Sequence, residues 1–327
     1  MIEPSIVILA SRFDLTCDFV VSALRRVGAN YVRLNSEDLP EMSLSLDPKH
    51  TEIIVRMAGD EFRLSKDNVK SVFFRRPVFL RDYGGSSLSP LEQLKRHQWA
   101  AFIRNFIILK DACWMNHPGA TYVAEHKAYQ LSIANDIGFD VPETVVSNSL
   151  ELFMNCEPQV DHLAVKGIDT VMVRNGESET FGFTTFVKTN ELSQAQIQAA
   201  PVVFQEALKQ KIDLRVTVVG PDIFAVAITK DGEPIDGDWR REKTDATFEP
   251  YELPHDLKNK CIRLVSKLNL TYGAIDLVIV RGSFYFLEIN PTGEWGWLVD
   301  AAGTAIDKSV AGRLADTAWY RPKNDQF

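Results

Sequence analysis

Two stretches decide the reading: Tyr272-Gly-Ala-Ile-Asp-Leu-Val-Ile-Val280 and Phe284-Tyr-Phe-Leu-Glu-Ile-Asn290, joined by Arg281-Gly282-Ser283. Both are rich in β-branched and aromatic residues, and the glycine between them marks a turn, so they predict a β-hairpin. With residues 281–283 as the loop, Val280 faces Phe284, and counting back along the ladder sets Asp276 opposite Glu288. Alternation brings Asn290 to their face. Ile275, Leu277, Ile279, Tyr285, Leu287 and Ile289 then share one apolar face, and Val278, Val280, Phe284 and Phe286 the other, as in a hairpin buried on both sides.

Carboxylates opposed on a buried ladder repel, and neither strand places a Lys or Arg beside them, since Arg281 lies at the far turn. The pattern therefore calls for a cation from outside the protein. Two carboxylates and an amide are hard oxygen donors that suit Mg²⁺ and leave positions for water and phosphate, whereas Zn²⁺ favours His or Cys. The competing reading is a sheet end whose acids reach solvent or cap a turn. The histidines at 50, 97, 117, 126, 162 and 255 make no metal motif.

With 327 residues, the chain is long enough for two or three packed units, and 45% hydrophobic against 24% charged residues is ordinary for a globular protein. The net charge of −8 argues against nucleic acid and anionic membranes as partners, though local basic clusters can still hold an anionic ligand. Cys17, Cys113, Cys156 and Cys261 are scattered without a C-x-x-C, as in reduced thiols of a cytoplasmic protein. The start carries an acid where a signal peptide has a base, and no run approaches the roughly 18 apolar residues of a membrane span.

From the N-terminus, residues 5–10 read as an apolar strand, a helix capped by Asp14 runs to Gly28, and residues 29–34 form the next strand. No G-x-G-x-x-G follows the first strand, so a dinucleotide site there is unsupported. Residues 43–64 predict a small antiparallel insert turning at Ala58-Gly59-Asp60. The strand 71–74 ends in Arg75-Arg76-Pro77; strand ends at the mouth of an open α/β sheet collect ligands, and Arg forks suit carboxylate or phosphate. Solvated loop arginines are the plainer alternative. Residues 88–112 read as a long amphipathic segment, and Asn116-His-Pro-Gly119 as a domain boundary.

Beyond it, a helix is expected over 120–137 carrying Lys127, strands over 139–146 and 163–167 with Lys166 at the end of the second, and a hairpin turning at 175–178. A strand over 201–208 leads into an antiparallel meander at 211–229, where Asp213 and Arg215 share a face. Arg215 in an apolar strand demands an anionic partner. Arg240-Arg241 is a second arginine pair, in a loop, and a helix over 254–268 leads back to the acidic hairpin.

The ordered set Lys127, Lys166, Phe204-Gln-Glu-Ala-Leu208, Asp213-x-Arg215, Asp276 and Glu288-x-Asn290 resembles the ATP-grasp ligases over about residues 119–300. More narrowly, Phe73-Phe-Arg-Arg-Pro77, Asp238-Trp-Arg-Arg241 and Leu287-Glu-Ile-Asn-Pro-Thr-Gly-Glu-Trp-Gly-Trp297 resemble the graspetide synthetases, the microviridin-type ribosomal-peptide maturases, over nearly the whole chain. The resemblance implies a mixed α/β (α+β) ATP-grasp fold: an N-terminal βαβ domain (1–118), a small central lobe (119–200) and a C-terminal antiparallel-sheet lobe with the metal site (201–327). It implies ATP and Mg²⁺, two ions, as cofactors. Lys127 and Lys166 would contact phosphates, Gln205, Glu206, Ala207 and Leu208 the adenine, and Asp213 the ribose. Arg215, Arg240 and Arg241 would serve catalysis, Asp276, Glu288 and Asn290 would hold metal, and Arg75 and Arg76 would bind substrate. The lack of a strongly glycine-rich phosphate loop after Lys166 is a departure, since Gly167, Gly176 and Gly182 are scattered.

The implied partner is a precursor peptide with a leader and an acidic core, the leader meeting residues 180–188, and a homodimer is compatible with the sequence. Such enzymes activate Asp or Glu side chains as acyl phosphates and join them to Thr or Ser hydroxyls or Lys amines, giving macrolactones or macrolactams. The alternatives are a ligase adding free amino acids to a protein or peptide, and a nucleotide-binding scaffold without catalysis; intact Asp276, Glu288, Asn290, Lys166 and Arg215 speak against the scaffold.

Overall fold

The computed structural model describes residues 1–75, 89–156, 161–168, 172–175, 178–181, 184–242 and 244–318. Arg76 lies outside them. The N-terminal sheet runs Tyr31–Asn35, Ile6–Ala10, Ser71–Phe74, Cys113–Met115, all parallel. Ile6–Ala10 is buried throughout, as a parallel strand covered on both faces must be. One face packs on the helix Leu15–Arg26 through Val20, Ala23 and Leu24, in a core shared with Trp295 and Leu298 from the far end of the chain. The other packs on Ile103, Phe106 and the antiparallel strands Ser43–Asp47, Glu52–Met57 and Asp60–Ser65. Asp14 caps the first helix by accepting from Cys17 N.

The single helix expected over 120–137 is two, Pro118–Ala124 and Lys127–Ile137, because His126 is extended (φ −77°, ψ 104°). Lys127 therefore starts a helix. Both helices pack on the C-terminal sheet, with Ala120, Ala124, Ala134 and Ile137 against Leu214, Leu277 and Phe286. Gln130 ties them there: its amide donates to Ile289 O at 2.8 Å and accepts from Ile289 N at 3.0 Å. Only Thr144–Ser147 of the expected 139–146 strand forms. It joins a central antiparallel sheet ordered Thr185–Lys188, His162–Lys166, Val202–Glu206, Thr144–Ser147, built over Phe153, Leu163, Ile197 and Phe204. The helices expected in the central lobe are thus regrouped with the C-terminal sheet, and the strand placed first in the C-terminal lobe pairs in the central one.

The C-terminal sheet runs Thr247–Pro250, Asp222–Thr229, Ile212–Val219, Tyr272–Val280, Ser283–Asn290. The hairpin turn is one residue tighter than expected. Arg281 and Gly282 have φ of 49° and 84°, the positive values of a type I′ turn, and Val280 pairs with Ser283. A bulge then restores the count, since Leu277 faces Phe286 while Asp276 faces Glu288, leaving Leu287 over. Between turn and bulge, the tighter turn sets Phe284 opposite Ile279 and Phe286 opposite Leu277, on the face opposite to the one simple alternation predicts. Ser283–Asn290 is an edge strand and half-buried, so only the inner strand Tyr272–Val280 is buried for most of its length. Among the described residues no helix is long and apolar enough to cross a membrane.

Candidate active site

A cleft of about 570 Å³ opens between the central and C-terminal sheets, a volume suited to a nucleotide-sized ligand. Its floor is the start of the Ile212–Val219 strand. Lys211, Asp213 and Arg215 alternate onto the cleft face, all three buried. Lys211 pairs with Asp213, yet burial dominates and pushes the Asp213 carboxyl up to about 6.

Arg215 lies opposite Asp276 in the ladder, and its Nη1 donates to Oδ1 at 2.7 Å. Nη2 donates to Glu294 O at 3.1 Å, and Nε has no hydrogen-bond partner among the described residues. Gly293 is needed here: a Cβ would stand 2.9 Å from that Nη2 and 2.6 Å from Ala274 Cβ. Arg240, on the short turn Trp239–Glu242, donates to the other Asp276 oxygen at 2.9 Å and lies 3.8 Å from Glu288 Oε1. Its guanidinium stacks 5.2 Å from the Trp239 ring centroid and also bonds Asp238 at 3.3 Å.

The acids are therefore not without protein cations, as the hairpin alone suggested. The cations come from a strand and a loop distant in sequence, beyond the reach of a local pattern. Lys127 Nζ is 3.7 Å from Glu288 Oε2, and Asn290 Nδ2 donates to Glu288 Oε1 at 3.3 Å. Burial opposes the Glu288 charge, but Lys127, Lys166 and Arg240 outweigh it and hold the carboxyl down to about 2.

Lys166 ends its strand facing the cleft, where burial lowers its pKa against the partial support of Glu288. Its Nζ donates to Gln205 Oε1 at 2.7 Å, and Gln205 in turn donates to Thr144 Oγ1 at 3.0 Å. Lys127 Nζ donates to Gly167 O at 3.3 Å. Glu206 and Leu208 line the cleft beside Gln205, while Ala207 N bonds His162 O at 3.0 Å within the sheet. Five cations, Lys127, Lys166, Lys211, Arg215 and Arg240, thus line one cleft together with Asp213, Asp276, Glu288 and Asn290.

Solved structures align with this arrangement over almost its whole length. A RiPP-associated ATP-grasp ligase of Chryseobacterium gregarium, in complex with ADP and a leader and core peptide, superposes with a TM-score of 0.84 at 25% identity, covering 97% of this chain and 98% of that one. The fold is that of the ATP-grasp ligases. The macrocyclase MdnC of Microcystis aeruginosa MRC, bound with precursor peptide MdnA, gives 0.82 at 24% identity over 96% of this chain and 100% of that one. The ATP-grasp ligase PsnB, complexed with a phosphomimetic variant of its minimal precursor, Mg and ADP, gives 0.74 at 20% identity over 96% and 98%. No protein-family model and no curated protein sequence matches the chain. The likeness to graspetide synthetases drawn from the motifs is thus met in the solved structures.

Within this ATP-grasp fold, the cleft brings together Lys127, Lys166, Gln205, Glu206, Leu208, Asp213, Arg215, Arg240, Asp276, Glu288 and Asn290. Arg241 does not line it and donates to Thr184 O at 3.4 Å. Arg75, expected to bind substrate, is also absent from the lining; it is buried against Asp14 at 2.9 Å. Its strand end faces the C-terminal lobe's own backbone, whose carbonyls at residues 292 and 293 accept from its Nη1. The sequence reading missed Lys211, Asp238 and Trp239. Lys211 was findable, since it continues the two-residue spacing of Asp213 and Arg215.

Proposed function

We propose that this protein is an ATP-dependent ligase that activates Asp or Glu side chains of a precursor peptide as acyl phosphates and joins them to Thr or Ser hydroxyls or Lys amines of the same peptide. The observation that carries this reading is the single cleft in which five cations meet the Asp276, Glu288 and Asn290 triad. The cleft's chemistry fits ATP: Lys166 sits where burial disfavours its charge, with the neutral Gln205 amide as its hydrogen-bond partner, so an anionic phosphate would restore the charge. Asp276, Glu288 and Asn290 fit Mg²⁺ as hard oxygen donors and would hold it, in two ions, once Arg240 yields its contact with Asp276. Bound Mg²⁺ would neutralise phosphate oxygens.

Lys127, Lys166 and Lys211 would orient the phosphates, residues 205–208 the adenine and Asp213 the ribose. Carboxylate attack on the γ-phosphorus would release ADP, and attack of the hydroxyl or amine on the acyl phosphate would release phosphate, so each ring loses one water. Arg215 and Arg240 would stabilise the anionic oxygens in both steps. The leader is assigned to residues 180–188, whose strand Thr185–Lys188 is an outer edge of the central sheet with Phe186 exposed. The test is mass spectrometry of a short Thr- and Glu/Asp-bearing peptide, taken from any reading frame of that kind found beside the gene, incubated with the protein, ATP and Mg²⁺. Losses of 18 Da per ring, matched by ADP release, are expected; a mass gain of an amino-acid residue would instead mark a ligase of free amino acids.

A further inference from the structure

Arg75 spans two parts of the fold. Its Nε donates to Asp14 at 2.9 Å, and its Nη1 donates to the carbonyls of Thr292 at 2.9 Å and Gly293 at 3.3 Å. The other Asp14 oxygen caps the first helix through Cys17 N at 3.1 Å. Both side chains are buried, so the guanidinium is fixed from both ends.

The carbonyls it holds belong to residues 291–294, between the strand Ser283–Asn290 and the helix Gly296–Ala301. No ladder supports this segment. Side chains do: Asn116 Nδ2 donates to Pro291 O at 2.9 Å, and Tyr272 Oη donates to Gly293 O at 2.5 Å, the carbonyl that Arg75 also reaches. On its other side the segment meets Arg215. Glu294 O accepts from Arg215 Nη2 at 3.1 Å, and the missing side chain of Gly293 makes room for the same nitrogen. Thr292, Gly293 and Glu294 line the cleft, and Arg75 does not.

We infer that Arg75 is a positioning residue: through the 291–294 backbone it sets where Arg215 stands over Asp276, and so governs acyl transfer without touching substrate. This rests on the ligase reading above. Two like charges are held on either side of one run of carbonyl dipoles, and losing Arg75 releases Thr292 O and leaves Gly293 O to Tyr272 alone, so the middle of the run can shift toward Arg215. A displacement of about 1 Å in a catalytic group slows a reaction by as much as about 100-fold.

The test is the paired change Asp14→Asn with Arg75→Gln, which removes both charges together, leaves no lone buried ion and keeps a helix-capping side chain. The expected result is an ADP Kd within about twofold of wild type and a kcat for peptide water loss lowered about 10- to 100-fold. In an Arg215→Lys background the same pair should cost less than about threefold more, because its effect runs through Arg215. The crystal structure of the pair should show residues 291–294 displaced and the Arg215–Asp276 bond broken. Unchanged kcat, losses that multiply in the Arg215→Lys background, or an unmoved Arg215 would each overturn the inference. Failure of the ligase reading looks different: wild type itself forms no water-loss product, and the crystal comparison still decides the role of Arg75. Should the pair not fold, Arg75→Lys keeps the charge for Asp14 but cannot span to both carbonyls; full kcat there also refutes the role.

Discussion

The N-terminal and C-terminal lobes each set an arginine at an element's end or turn beside an aspartate, and the two pairs differ in how completely they are closed. Arg75 and Asp14 have side chains 3% and 8% exposed, and the donors of Arg75 end on a carboxylate and two carbonyls. Arg240 is 40% exposed beside Asp276 at 12%, in a cleft whose Lys166 is held by a neutral amide. A pair closed away from solvent is expected to be structural, and one whose charge faces an opening to be functional. On the proposed function, paired charges in the first setting hold lobes together and in the second hold a place for a ligand.

The widest gap between the two settings should appear in Asp276→Asn. Turnover, followed as ADP release, is expected to fall by at least about 1,000-fold. Because Asp276 also neutralises buried Arg215, the variant should lose about 2–4 kcal/mol of stability in urea melts. Undiminished turnover would remove the acid from the reaction. Arg75→Ala and Arg240→Ala then separate the pairs directly. The first should cost about 3–5 kcal/mol of stability by stranding Asp14, and the second less than about 1 kcal/mol while slowing turnover about 100-fold. Similar melting of the two variants would break the comparison.

A smaller effect is expected at Lys166→Met, which should weaken binding of a non-hydrolysable ATP analogue by about 1–3 kcal/mol in titration calorimetry. Unchanged affinity would leave Lys166 outside the nucleotide site. The finest test is pH, measured without nucleotide or metal. Glu288 is held below its ordinary value, at about 2, so its contribution to stability is present above about pH 4.5 and disappears as pH falls toward 2. The melting advantage of wild type over Glu288→Gln should vanish over that range. Asp213, raised to about 6 by burial, has the opposite sign, and its contribution is lost as pH rises from about 4 through 6. A wild-type advantage over Glu288→Gln that persists at pH 2 would contradict the neutralisation of Glu288 by its lysines.

Local patterning carried the hairpin, the pairing of Asp276 with Glu288, the first helix with its Asp14 cap, and the shared face of Asp213 and Arg215. The register at the acids came out right although the turn is Arg281-Gly282 alone, because a bulge adds back the residue that the tight turn removes. Nothing in the stretch announces that bulge. The cationic partners of Asp276 were out of view for another reason. Arg215 faces it only because the 212–219 strand, one arm of the hairpin it makes with 222–229, docks against the 272–280 strand of the acidic hairpin, and such pairing depends on the whole sheet. The helix break at Glu125-His126 carries no proline or glycine, so periodicity runs through it. Arg75 shows the limit most plainly: a strand-ending arginine pair reads as a ligand clamp until the carbonyls of residues 292 and 293 arrive from the other end of the chain.

Asn116 carries a consequence for motion. Its amide nitrogen donates to Tyr272 O and Pro291 O at 2.8 and 2.9 Å, and its oxygen accepts from the backbone of Thr271 and Tyr272 at 2.7 and 2.9 Å. Together with Ser71 Oγ, which bonds Leu314 O of the helix Ile306–Ala315 at 2.7 Å, it rivets the parallel sheet to the C-terminal lobe. With those two sheets tied, the links near residues 143 and 207 are where the central sheet is joined to them, and substitutions there are expected to change the tempo of ligand exchange while leaving the chemistry alone.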